Sequence, residues 1–182
     1  AQDCVAGSRL PAAPESNTLR CYPVKWKPPG ATKIVTDYFN KYVVRAVTES
    51  DLALPSDARG PGVVTTYDYL GDPAWHYTDD DGLIAEEDKT WAVWRGYGRV
   101  RTMVGEGADR TRTETVYFRG MHGDKLPSGT RSVSLPAAGG ASAVADEDEY
   151  AGLVREEITY DGPSGGEGEA EVHEPWRSNP TA

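Results

Sequence analysis

The stretch Thr90–Met121, TWAVWRGYGRVRTMVGEGADRTRTETVYFRGM, constrains the fold more than any other part of the chain. Its first run, Trp91–Val104, is crowded with aromatic and β-branched residues, which suit a pleated, half-buried surface. The second run, Thr113–Met121, has the same character. Between them Gly105, Gly107, Ala108 and Asp109 supply turn chemistry. Two interior glycines and many β-branched residues argue against a helix here. The expectation is a β-hairpin over 90–121 whose first arm is kinked where Gly96 and Gly98 flank Tyr97, since glycine inside a strand marks a bulge or a close backbone approach.

This hairpin also carries a family likeness. The phrase Arg95-Gly96-Tyr97-Gly98-Arg99-Val100, followed by Tyr117-Phe118-Arg119-Gly120, resembles a hairpin of bacterial RHS/YD-repeat proteins and of the related B components of insecticidal toxin complexes. Upstream, Val64-Thr65-Thr66-Tyr67-Asp68-Tyr69 is similar to the Tyr-Asp strand of that family, and Glu157-Ile158-Thr159-Tyr160-Asp161-Gly162 is similar to a weaker second copy. The resemblance runs from Leu19 to Trp176 and is strongest over Val63–Gly123. It implies an all-β antiparallel meander of long hairpins, a section of a YD-repeat-type β-shell that encloses a carboxy-terminal toxin or effector. It further implies structural roles for Tyr67, Asp68, Gly96, Tyr97, Gly98, Tyr117, Tyr160 and Asp161: tyrosines packed between strands, aspartates ordering turns. At Asp68 the match departs from the family pattern, because Tyr69 and Leu70 separate it from the nearest turn. Dense Tyr-Asp repeats, an autoproteolytic core and a toxin domain are not recognisable in the sequence.

Composition agrees with a turn-rich β chain: 182 residues include 20 glycines and 13 prolines, with only 38% hydrophobic residues. A formal net charge of −10 makes a nucleic-acid backbone a poor partner. The acid is patchy, in Asp79–Asp81, Glu86–Asp88, Asp146–Glu149 and Glu167–Glu174, as solvated loops are. No run approaches the ~20 apolar residues of a membrane-spanning helix. The chain opens Ala-Gln-Asp-Cys, without methionine or signal peptide, and is expected to be a processed, trimmed or internal piece of something longer; the family likeness implies that the parent is a secreted or cell-surface bacterial protein. The two cysteines, Cys4 and Cys21, lie in a coil-like, proline-bearing segment. A disulfide stapling that loop is favoured over two free thiols.

Along the chain, residues 1–20 are expected as a loop or tail, 21–162 as the β-rich segment and 163–182 as a flexible tail. Within the segment, strands are expected at Cys21–Lys27, Val63–Leu70, Trp91–Val104, Thr113–Met121 and Leu153–Tyr160, with a brief edge strand at Arg131–Leu135. Gly71-Asp72-Pro73 is expected to end the Tyr-Asp strand, leaving His76–Asp88 as an exposed loop. Pro136–Glu149 is expected to be mobile. Lys33–Ser50 fits either a helix or a strand by period, and the family likeness decides for a strand at Tyr38–Thr48.

Candidates for chemistry are thin. Asp79, Asp80, Asp81 and Gly82 could offer oxygens to calcium, but adjacent aspartates do not follow an EF-hand spacing. His76, His122 and His173 stand far apart, with no metal-ligand spacing and no Gly-x-Ser-x-Gly elbow. Glu156 and Glu157 are neighbours on a strand and so point to opposite faces; Asp68 and Asp161 are the other carboxylates considered as a pair. Arg95, Arg99, Arg101, Arg110, Arg112 and Arg119 gather positive charge on the hairpin, to meet acidic loops or an anionic ligand. With the family likeness, the expectation is a non-catalytic structural segment, with no metal or cofactor; the likeness implies that its partners are the rest of its parent chain and a toxin cargo. The alternative is an extracellular glycan- or protein-binding β module using the five tryptophans and ten tyrosines.

Overall fold

The central hairpin is formed by β5 (Trp91–Val104) and β6 (Thr111–Tyr117), joined by a turn through Gly107–Asp109. A computed structural model describes residues 4, 5, 9–53, 55, 57–79 and 82–178. Around the hairpin, β3 (Ala46–Glu49) and β4 (Val63–Tyr77) lie on one side, β9 (Val154–Tyr160) and β10 (Glu167–Val172) on the other. The six make one sheet in the order β10-β9-β6-β5-β4-β3, and every neighbouring pair is antiparallel. Two small ribbons complete the chain: β1 (Cys21–Trp26) with β2 (Val35–Asn40), and β7 (Ser134–Leu135) with β8 (Val144–Ala145). The described residues contain short 3-10 turns and no α-helix, so the protein is all-β and antiparallel.

Several expected boundaries move. The triplet Gly71-Asp72-Pro73 does not end β4, which runs on to Tyr77. A bulge takes it up: Leu70 faces Arg99 and Pro73 faces Tyr97, so two residues of β4 oppose Gly98 alone. Proline fits there because a bulge needs no ladder donor from it. His76 and Tyr77 accordingly belong to the sheet, and Trp75 is 2% exposed. Across Tyr38–Thr48 the chain is not one strand: β2 ends at Asn40 and β3 begins at Ala46, because the two halves pair with different partners, β1 and β4. The second hairpin arm stops at Tyr117 instead of Met121. Asp146, fully buried, accepts the N–H groups of Arg119, Gly120 and Met121 at 2.7, 2.8 and 3.2 Å and draws that backbone out of the sheet.

That same contact overturns the picture of 136–149 as mobile, solvated chain. Asp146 also donates its amide to the Val133 carbonyl, and the segment carries β8. Nor is 163–182 wholly a flexible tail, since β10 pairs along β9 from Glu167 to Val172. Its alternation, Glu169 and Glu171 against Ala170 and Val172, is a strand period written in residues of low β preference.

The sheet has little to bury. Among the described residues the hydrophobic core is Cys21, Ala74, Trp75, Met103, Phe118, Met121 and Ile158. A row of rings holds the β1–β2 ribbon to the sheet, running Phe39–Tyr22–Trp75–Trp94–Tyr97–Tyr69 with successive centroids 6.2, 4.5, 4.9, 5.9 and 4.9 Å apart. Trp75 Nε1 donates to the Leu19 carbonyl at 2.8 Å, and a disulfide joins Cys4 to the buried Cys21 with Cα atoms 5.4 Å apart.

Candidate functional site

The phrases Arg95-Gly96-Tyr97-Gly98 and Tyr117-Phe118-Arg119-Gly120 meet in space. Gly96, at φ 76°, sits in a second bulge: Ala74 faces Gly96 and Trp75 faces Trp94, which leaves Arg95 unopposed. A left-handed residue without a side chain is what such a bulge uses. The shift of parity lets Trp94 and Tyr97 touch, although residues three apart on a regular strand point to opposite faces. Gly98 serves close approach instead: a Cβ there would stand 3.3 Å from Arg119 Nε. Conversely, a Cβ on Gly120 would stand 3.0 Å from Arg95 Nη1 and from the Asp148 Cα. Each arginine therefore lies over the other phrase's glycine. Arg95 is tied down by an ion pair with Asp148, and Arg119 Nη1 donates to the Asp72 carbonyl at 3.2 Å. Burial pushes the pKa of the Arg119 guanidinium below its ordinary value.

The other arginines converge on the middle of β6. Glu114, whose side chain is 3% exposed, receives Arg99 Nε at 2.6 Å, Arg101 Nε at 2.8 Å and Arg112 Nη2 at 2.6 Å. Register explains the convergence. Arg101 is directly opposite Glu114, Arg99 is two residues along the same face, and Arg112 is two residues away on β6. Burial alone would raise the Glu114 pKa, but donors from Arg112 and Arg101 and the charge of Arg99 outweigh it and hold it at about 2. The Arg112 guanidinium also lies 3.7 Å from the Tyr160 ring centroid, and Arg99 Nη2 donates to the Tyr160 hydroxyl at 3.1 Å. Arg110 Nη2 reaches Thr66 Oγ1 at 3.0 Å.

The two Tyr-Asp pairs sit differently. Tyr160 is packed under Arg112, and Asp161 opens the β9–β10 turn, its amide donating to the Gly166 carbonyl at 3.0 Å. Tyr67 is half-buried in β4 and its amide donates to the Arg45 carbonyl at 2.9 Å, while Asp68 lies exposed in mid-strand opposite Arg101. Tyr117 ends β6, half-buried and paired with Val154.

The structure brings no catalytic set together from the sequence candidates. His76 places Nδ1 2.7 Å from the Tyr77 carbonyl and Nε2 3.5 Å from Asp124; His122 meets Val133; His173 lies 3.7 Å from Glu171. Glu156 is buried and accepts the Ala138 amide at 2.8 Å, whereas Glu157 is exposed. Of the acidic run, Asp80 and Asp81 lie outside the described residues. No group of three or more metal-ligating side chains is assembled among the described residues. No helix among them is long and apolar enough to cross a membrane.

Sequence reasoning missed Asp124 and Asp146. Asp124, 2% exposed, accepts the Tyr77 amide at 2.9 Å and faces Arg131 at 3.4 Å. The only signal was indirect: each is an acid close to glycines and short apolar residues, in segments otherwise written like solvent loops. No protein-family model, curated protein or solved structure matches this chain.

Proposed function

We propose that this chain is a non-catalytic structural segment of a secreted or surface RHS/YD-repeat-type protein. It contributes hairpins to a β-shell around a carboxy-terminal effector. The observation that carries this reading is the ratio of surface to core. The chain exposes 11606 Å², where a compact monomer of 19.7 kDa exposes about 8,600 Å². Among the described residues, a six-stranded sheet with a hydrophobic core of seven residues and no second layer of comparable size is what a section of wall would look like apart from its neighbours. The interlocked Arg-Gly phrases support it too, since they fix the shape of a bent hairpin.

Hydrogen exchange on the isolated chain, with its oligomeric state followed by light scattering, tests the reading. A wall section exchanges quickly in β3 and β4 when dilute and gains protection there as it associates. Slow exchange through all six strands in a strict monomer would instead mark a self-sufficient module.

A further inference from the structure

The sheet ends in two unlike edges. Tyr67 N–H donates to the Arg45 carbonyl, so residues 45, 47 and 49 bond inward to β4, and Ala46 and Thr48 direct their N–H and C=O groups outward. All four residues of β3 are exposed, Val47 at 42%, with Val44 55% exposed just before them. On β10 the amide of His173 reaches the Arg155 carbonyl, which by the same alternation turns Ala170 and Val172 outward. That edge carries Glu167, Glu169 and Glu171, the like-charge guard by which natural sheets discourage pairing. The β3 edge has Glu49 alone.

Next to the open edge lies a hollow of about 470 Å³, lined by Arg20, Val43, Arg45, Tyr67, Asp68, Tyr69 and Tyr97, so that two arginines and one carboxylate share it. Arg45 is exposed there, and burial followed by the neighbouring Tyr67 raises the Tyr69 pKa. Strand addition draws affinity from main-chain bonds and selectivity from such side-chain pockets.

We infer that the β3 edge takes up an extended, acid-bearing strand by antiparallel addition, with a carboxylate side chain seated at Arg45 in the tyrosine-lined hollow. Antiparallel is the sense every other pair in the sheet adopts. The source of the strand rests on the scaffold reading, in which neighbouring chain of the parent supplies it.

The test uses a fluorescein-labelled peptide of alternating valine and glutamate, its lysine counterpart, and the full 182-residue chain, read by fluorescence anisotropy. The glutamate peptide should bind at least five-fold tighter than the lysine peptide. Arg45→Gln should erase that preference. Thr48→Pro removes one outward N–H and no ladder bond, so it should keep the near-ultraviolet circular dichroism and weaken binding at least ten-fold. Equal binding of both peptides, no binding, or undiminished binding to a folded Thr48→Pro chain would each overturn the inference. Those results leave exchange in the isolated chain untouched, so they are distinguishable from failure of the scaffold reading.

Discussion

The loops that follow β6 and the ribbon that precedes β3 solve the same problem in opposite ways. Both are chain laid beside one sheet. Between Phe118 and Arg155 the chain closes on itself with buried polar groups: Asp124, Asp146 and Arg155 are at most 2% exposed. Arg155 alone holds the His173 and Ser142 carbonyls, at 2.8 Å each. Between Trp26 and Val63 the apolar groups face outward instead. Nine of the sixteen exposed large hydrophobics among the described residues fall there, Tyr42 at 80% and Leu52 at 72%. Buried polar groups bonded in this way are specific and self-contained, although Arg155 Nε itself finds no partner among the described residues. Exposed apolar side chains on a strand edge are incomplete until something covers them. One side of this sheet is finished, and the other is not.

The largest effect that would break the contrast is at Asp146. Asp146→Ala strands three N–H donors, two of them in buried bonds, and about 3 to 5 kcal/mol of stability should be lost in urea unfolding. A loss under about 1 kcal/mol would mean that water replaces the carboxylate and that the loops are less closed than described.

Acid should act next, through Glu114. Its folded pKa of about 2 lies below the ordinary 4.5, so the unfolded chain binds the proton more readily. The stabilisation is complete above pH 4.5 and is lost as pH falls toward 2, at most about 3 kcal/mol. In Glu114→Gln that part of the acid dependence should vanish from the pH profile of the unfolding midpoint.

Removing the disulfide sharpens the contrast from the other side. Cys4→Ser releases a loop of separation 17, and the chain-entropy estimate is about 3 kcal/mol. Exchange should quicken in β1 and β2 and stay unchanged in β6 and β9; equal quickening in all four would show one cooperative unit. At the low end, Arg177→Ala breaks an exposed pair with Glu149 and should shift stability by less than about 0.5 kcal/mol.

What was legible in the sequence follows the same division of labour. The β5–β6 hairpin could be read because its residues are chosen for the sheet itself, aromatic and β-branched along both arms. Strand β10 was hidden because Glu, Gly and Ala carry its alternation without any β preference. Gly71-Asp72-Pro73 reads as a terminus and acts as a bulge; only the partner strand distinguishes the two. Asp146 serves backbone amides 25 to 27 residues away, and no local pattern announces a contact of that kind. The Glu114 hub left a faint mark, a lone acid in a threonine-rich strand with arginines on three sides. Its register across β5 was needed to see that they meet.

The crossed arrangement of Arg95 over Gly120 and Arg119 over Gly98 bears on how such chains can change over time. Neither phrase can drift alone. A side chain gained at Gly98 displaces Arg119, and one gained at Gly120 displaces Arg95. The four positions should therefore be inherited as a unit, kept together or lost together in related hairpins, while the turn between them is free to lengthen or shorten.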